Sequence, residues 1–169
     1  MDPFQQGGLD SLCGIYSLVN AEKIINKTKT KDSQDLFNEI VRFLAEENLL
    51  ASILTGGMLL KKLKLILNEV IGDRIPQKKL PFNARPNPNL GDFWTEVEIY
   101  LKEPGRAVII SLSGVHDHWS TIEKITSNQI KLFDSNGLSH LNRGYCTTAE
   151  PTSKRQHIIL PAQTLFLSK

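Results

Sequence analysis

Residues 5–18 carry the sequence QQGGLDSLCGIYSL, in which a loop containing Gly and Gln runs into a segment with apolar residues at helical spacing. The pattern predicts a helix over residues 11–26, with Asp10 or Ser11 as its N-cap. Cys13 then lies in the first helical turn, where unsatisfied backbone N–H groups and the positive end of the helix dipole favour a thiolate. Cys13 is therefore a candidate nucleophile.

The composition of the 169 residues is ordinary for a globular protein and excludes several functions. A formal net charge of +2, with Lys and Arg spread along the chain, indicates no nucleic-acid partner. No apolar run approaches the roughly 20 residues of a spanning helix, and no signal-peptide pattern is present. We expect no membrane insertion and a cytoplasmic location, or delivery by a route without a cleavable signal. The oligomeric state is not predicted.

Helical patterns come first in the chain and strand patterns second. Helices are expected at about 33–48, 58–71 and 91–102 after the first one, and Pro76, Pro81, Pro86 and Pro88 predict an irregular surface connection over 75–89. Antiparallel strands are expected at 107–114, 118–125 and 129–135, with a polar loop over 137–154 and one or two strands within 157–167.

This order predicts a single α+β domain with a helical half over about 9–102 and a sheet half over about 106–167. Residues 1–4 (MDPF) bear no relation to the pattern after them, and we interpret them as an appended remnant. The two cysteines, Cys13 and Cys146, are expected to be reduced, because one bridge is not needed to stabilise a chain of this size.

Two predicted strand ends supply the partners that a thiol nucleophile needs, namely a general base and a group that orients it. His118 opens one strand, and Asp134 ends the next. With a turn at 126–128 the two fall nearly opposite each other, about 5 Å apart on one face. His116 is the rival base. Asp134 can also be interpreted as a turn residue, and Asn136 can also reach an imidazole.

The same groups invite a metal interpretation, because His116 and His118 can share a zinc ion with Cys13 and Asp134 completing a tetrahedral set. CxxC and HExxH motifs are absent, and thiol catalysis already accounts for the four groups. We therefore expect neither a metal nor a cofactor. Cys146 has no such neighbours in sequence and is interpreted as a loop or core thiol.

Three short motifs together resemble the papain-like cysteine peptidases: Gln-x6-Cys-Gly at a helix start, His-Trp-Ser at a strand start and Phe-Asp-Ser on the next strand. Within that superfamily the pattern is most similar to the compact bacterial branch around the bacteriocin-leader peptidases. Ubiquitin-like-protein proteases share the second and third motifs but place the cysteine last in the chain. The resemblance spans about residues 5–135 and implies a papain-like fold.

The resemblance implies a role for each matching residue. Cys13 would be the nucleophile, His118 the general base and acid, and Asp134 the group that orients the imidazole. The Gln6 side-chain amide and the Cys13 backbone N–H would form the oxyanion hole. The gap from Gln6 to Cys13 is a residue or two longer than in the family, and Gln5 competes for the same role.

The expected function is a cysteine peptidase that hydrolyses a peptide or isopeptide bond in a protein or peptide substrate. A glutamine deamidase, transglutaminase or acyltransferase of the same fold would use the same three groups, so the sequence does not separate them. A catalytically silent papain-like binding module is the third alternative. The substrate is not predicted: a short enzyme of this kind could be a leader peptidase, a ubiquitin-like-protein protease or an effector delivered into another cell.

Overall fold

The fold is built around a mixed but mainly antiparallel sheet. The computed structural model describes residues 1–85 and 88–169, so Pro86 and Asn87 of the proline-containing connection lie outside the described residues. In the described part of the chain the strands are β1 (Gln77–Lys79), β2 (Arg106–Gly114), β3 (His118–Ile125), β4 (Gln129–Phe133), β5 (His140–Asn142), β6 (Cys146–Thr147), β7 (His157–Ile159) and β8 (Leu165–Ser168). Their spatial order is β1-β8-β2-β3-β4-β5, with β7 paired to the end of β2 and β6 parallel to β7.

Helices cover both faces of this sheet. Within the same described residues they are α1 (Cys13–Asn26), α2 (Thr30–Glu46), α3 (Leu50–Gly56), α4 (Leu60–Glu69) and α5 (Leu90–Leu101). Successive residues of β2 point to opposite faces. Ala107 and Ile109 pack into a core with α1 to α4, whereas Val108 and Ile110 pack into a second core with α5. The sheet is thus the middle layer of three.

The predicted α+β class is confirmed, with the helices in the N-terminal half and nearly all of the sheet in the C-terminal half. The three strand predictions over 107–135 are confirmed as β2, β3 and β4. The helix predicted over 91–102 is confirmed as α5. It begins after Asn89, because the Asn89 side chain caps it by accepting a hydrogen bond from the Asp92 N–H at 2.8 Å. No helix in the described ranges is both long and apolar enough to cross a membrane.

The predicted cap of α1 is wrong. The helix begins at Cys13 and not at Ser11, and its N-cap residue Leu12 makes no capping bond through a side chain. The Asp10 carboxylate instead accepts hydrogen bonds from the backbone N–H groups of Gly7 (2.8 Å) and Leu12 (3.1 Å). Asp10 therefore shapes the loop before the helix, and Cys13 becomes the first helical residue.

Three further predictions on local structure are corrected. α3 was not predicted, and the helix expected from Met58 begins at Leu60. The connection over 75–89 is not merely irregular: its β1 pairs with β8, and Phe82 is fully buried in the core under α5. The expected loop over 137–154 contains the short strands β5 and β6.

Candidate active site

A cleft of about 530 Å³ lies where the start of α1 meets the ends of β2 and β3. Three stretches of chain line most of it: the loop before α1 with the first turn of that helix, the loop between α3 and α4, and the turn between β2 and β3. Cys13, His118 and Gln6 all line this cleft, although they lie far apart in the sequence. The structure therefore brings together the residues that the sequence assigned to one site.

The start of α1 is held by close packing on the loop between α3 and α4. A Cβ atom at Gly14 would lie 3.0 Å from the sulfur of Met58, so glycine is the residue that allows this approach. The Trp119 indole N–H donates a buried hydrogen bond of 2.6 Å to the carbonyl oxygen of Met58. The hydroxyl of Thr121 donates to the carbonyl of Ser17 at 3.0 Å and ties β3 to α1. These contacts fix Cys13 relative to the strand that carries His118.

His118 and Asp134 form a buried pair. The Nε2–H of His118 donates to Oδ2 of Asp134 at 2.7 Å, and both side chains are almost completely buried. The Ser120 hydroxyl donates to the same carboxylate oxygen at 2.6 Å. The other oxygen, Oδ1, accepts from the backbone N–H groups of Asn136 (2.7 Å) and Leu138 (3.0 Å). Because Nε2 is bound to Asp134, Nδ1 is the ring nitrogen that remains for a thiol.

The predicted strand register is wrong by two residues. β3 and β4 pair Thr121 with Phe133, which places Ser120, and not His118, opposite Asp134. Next to the turn, Ile125 pairs with Ile130, so the hairpin is centred between residues 127 and 128 rather than at 126, and the register irregularity beside Glu123 moves the pairing only one position back toward the predicted one. His118 still reaches Asp134 because diagonal neighbours on one face of a sheet lie within range of long side chains. The residue directly opposite the carboxylate is therefore a serine.

The charges of the pair follow from these contacts. Burial alone would lower the pKa of His118, but its hydrogen bond to Asp134, the nearby Cys13 sulfur and the negative charge of Asp134 raise it to about 9. Burial likewise opposes ionisation of Asp134, yet its hydrogen bond to His118 and the positive charge of that ring, with further bonds from Ser120 and Asn136, lower its pKa below the usual value. An imidazolium next to a carboxylate is thus the stable form near neutral pH.

The two glutamines have different surroundings. Gln6 lines the cleft, its N–H donates to the carbonyl of Ser135 at 2.9 Å, and its Oε1 accepts from the Ser135 hydroxyl at 3.2 Å. With Oε1 occupied, the Nε2 amide group is the free end of the Gln6 side chain. The Nε2 of Gln5 donates to the carbonyl oxygen of Asp134 at 2.9 Å. Gln5 lines a separate pocket beside Phe4.

His116 has a different partner from His118. It lies in the turn before β3, and its Nε2 is 2.8 Å from Nδ1 of His157, with the two rings stacked 4.9 Å apart. Burial lowers the pKa of both rings, and the positive charges of His157 and His118 add to the effect on His116. Asp117 is an exposed residue of the same turn with a φ of 49°. The acceptor of the His118 ring is Asp134, whereas Asn136 contributes its backbone N–H.

Cys146 does not line this cleft. It is completely buried in the core under α5, and its thiol donates to the carbonyl oxygen of Asn142 at 3.3 Å. Burial raises its pKa to about 12, against the opposing positive charge of Arg143. Both cysteines are free, as expected. Within residues 1–85 and 88–169, no three His, Cys, Asp or Glu side chains are grouped so as to hold a metal ion.

Two residues of the site were missed by the sequence interpretation. Ser120 belongs to the His-Trp-Ser motif and follows His118 by two residues, so the alternation of a strand already places it on the same face. Ser135 belongs to the Phe-Asp-Ser motif, but its contact with Gln6 joins distant parts of the chain and leaves no local signal.

Neither family models, curated proteins nor solved structures give a match to this chain.

Proposed function

We propose that this protein is a papain-like cysteine peptidase that hydrolyses a peptide or isopeptide bond through Cys13, His118 and Asp134. The observation that carries the proposal is the buried 2.7 Å bond between His118 Nε2 and Asp134 Oδ2, on a ring that shares its cleft with the Cys13 thiol. A nucleophile beside a base that is itself oriented by a third group is the arrangement of covalent catalysis. The position of the thiol at the start of a helix packed on the sheet supports the papain-like comparison.

The first step forms a bond between the Cys13 sulfur and the carbonyl carbon of the substrate. The thiol proton resides on Nδ1 of His118, and the carbonyl electron pair moves onto the oxygen. Two donors are available to that oxyanion: the Nε2 amide of Gln6 and the backbone N–H of Cys13, which has no intrahelical acceptor in the first turn. One such donor typically contributes about 2.7–4 kcal/mol of transition-state stabilisation.

The second step breaks the carbon–nitrogen bond. His118 gives its Nδ1 proton to the leaving amine, and an acyl thioester remains on Cys13. His118 then accepts a proton from water, and the water oxygen attacks the thioester carbon. The carbon–sulfur bond breaks, the carboxylic acid product leaves, and Cys13 is again a thiolate beside protonated His118. Throughout the cycle Asp134 holds the imidazole ring in one orientation through Nε2.

Product analysis with matched variants tests this reaction. The full chain, Cys13→Ala and Cys146→Ala are incubated with a pool of protein-derived peptides, and new termini and released ammonia are measured by mass spectrometry and an ammonia assay. We expect new termini from the unmodified protein and from Cys146→Ala, and none from Cys13→Ala. Ammonia without new termini would contradict a peptidase and favour a deamidase or transglutaminase.

Covalent labelling provides an independent test that needs no substrate. Chloroacetamide at pH 7 is expected to modify Cys13 much faster than Cys146, because the Cys146 thiol is fully buried and its pKa is about 12. Equally slow modification of both thiols, together with no new termini, would contradict the proposal and favour the binding module.

A further inference from the structure

Ser120 lies at the centre of the buried pair. Its side chain is completely buried on β3, between His118 and Ile122 on one face of the sheet, and it pairs with Ile110 of β2. Its hydroxyl donates at 2.6 Å to the Asp134 oxygen that accepts from His118 at 2.7 Å. One carboxylate oxygen is therefore shared between two donors.

The position of the carboxylate does not depend on Ser120 alone. Oδ1 of Asp134 is already held by the N–H groups of Asn136 and Leu138, which belong to the loop after β4. The contribution of Ser120 falls on Oδ2. A hydroxyl that donates to a carboxylate oxygen stabilises its negative charge and makes that oxygen a weaker acceptor for a second donor.

We infer that Ser120 is a positioning residue that limits how strongly Asp134 holds the His118 imidazolium. The inference rests on the proposed function, in which His118 must release its Nδ1 proton to the leaving amine. A general acid works best when its pKa lies near the pH at which the enzyme works. A carboxylate oxygen bound to His118 alone would hold the imidazolium proton too firmly. Ser120 acts through Asp134 and needs no contact with the substrate.

The test measures the titration of the His118 ring by NMR in the full chain. In Ser120→Ala we expect the midpoint to move up by about 0.5–1 pH unit, since Oδ2 of Asp134 then accepts a hydrogen bond from His118 alone. Ser120→Thr keeps the hydroxyl, and its midpoint is expected within about 0.2 pH units of the unmodified protein. Ser113→Ala is the matched control, because it removes a hydroxyl from β2 at the same cleft without touching Asp134. We expect it to leave the midpoint unchanged.

An unchanged or lowered midpoint in folded Ser120→Ala would overturn the inference. If that variant does not fold, Ser120→Cys offers a weaker donor of similar size, and a smaller upward shift is expected. Loss of fold in both variants would assign the hydroxyl to folding and overturn the inference as well. The readout is independent of turnover: a shifted midpoint in a protein without peptidase activity would keep this inference and reject the proposed function.

Discussion

Two histidines at the rim of one cleft, His116 and His118, differ in their charge at neutral pH. His118 is bound to a carboxylate, and its pKa is raised to about 9 despite burial. His116 is bound to a second imidazole, and burial together with the charge of His157 lowers its pKa. The two residues are separated in the sequence by Asp117 alone. The comparison teaches that the partner of the ring, more than its place at the cleft, decides whether it is an acid or a neutral base.

The difference in partner follows from the backbone. His118 is the first residue of β3 and lies on the face that also carries Ser120 and Asp134. His116 precedes the strand, and the left-handed conformation of Asp117, with a φ of 49°, separates it from the strand's alternation. His116 therefore faces His157 on β7.

The largest expected effect separates the two histidines by their influence on Cys13. At pH 7, His118→Ala should slow chloroacetamide labelling of Cys13 by about 100-fold, because a positioned acid–base group contributes about 100-fold or more to reactions of this type. His116→Ala should change the rate by no more than about threefold. The rates are measured by mass spectrometry of the peptide that contains Cys13. Equal losses in the two variants would make His116 as good a candidate base as His118.

The next effect is the alkaline dependence of stability. The pKa of His118 is about 9 when folded and 6.5 in the unfolded chain, so its contribution is complete below pH 6.5 and is lost as the pH rises through 9. The loss in free energy of unfolding is on the order of 2 kcal/mol. Urea unfolding at pH 6.5 and 10 measures it.

His118→Gln is the matched variant for this measurement. Without the imidazole, the loss of stability that comes from the His118–Asp134 pair at alkaline pH disappears. The free energies of unfolding at pH 6.5 and pH 10 should therefore differ by less in this variant than in the unmodified protein. A decline of the same size in both proteins would show that other groups account for it.

The smallest expected effect lies on the acid side and involves His116 and His157. Their folded pKa values are lowered, so their contribution to stability is present above pH 6.5 and is lost as the pH falls through the folded values. Both residues are only partly buried, and the effect should be smaller than that of His118. His157→Gln should reduce the fall in thermal unfolding midpoint between pH 7 and pH 5. Asp134 does not interfere, because its pKa is lowered from 3.8 and its contribution to stability is lost only at a pH below that value.

Sequence reasoning succeeded where contacts are local. α5 was predicted to within a residue at each end, because Phe93, Trp94 and Val97 follow helical spacing and Pro104-Gly105 ends the pattern. The hairpin of β3 and β4 brings His118 near Asp134 over a short stretch of chain, so the pair was predictable even with the wrong register. The register error came from the position of the turn: Ile125 pairs with Ile130, so the hairpin is centred between residues 127 and 128 rather than at residue 126.

Features that depend on distant parts of the chain were not predictable. β1 is a strand only because β8, near the other end of the sequence, pairs with it. α3 is seven residues long and begins without a capping side chain, so its pattern is too short to stand out from a loop. Likewise, the surroundings of Gln5 and Gln6 differ through contacts with the distant residues Asp134 and Ser135, and these contacts are the ground for proposing Gln6 as the oxyanion donor.

The hydrogen bonds that join Gln5 and Gln6 to Asp134 and Ser135 have a consequence for biosynthesis. The ribosome produces the thiol more than a hundred residues before the carboxylate. At about 5–20 residues per second, a nascent chain carries Cys13 without its partners for roughly 5 to 25 seconds. During that interval the cysteine has no base, and the Gln6 side chain lacks its contact with Ser135, so the catalytic residues proposed above are not assembled until the chain after β4 has been made.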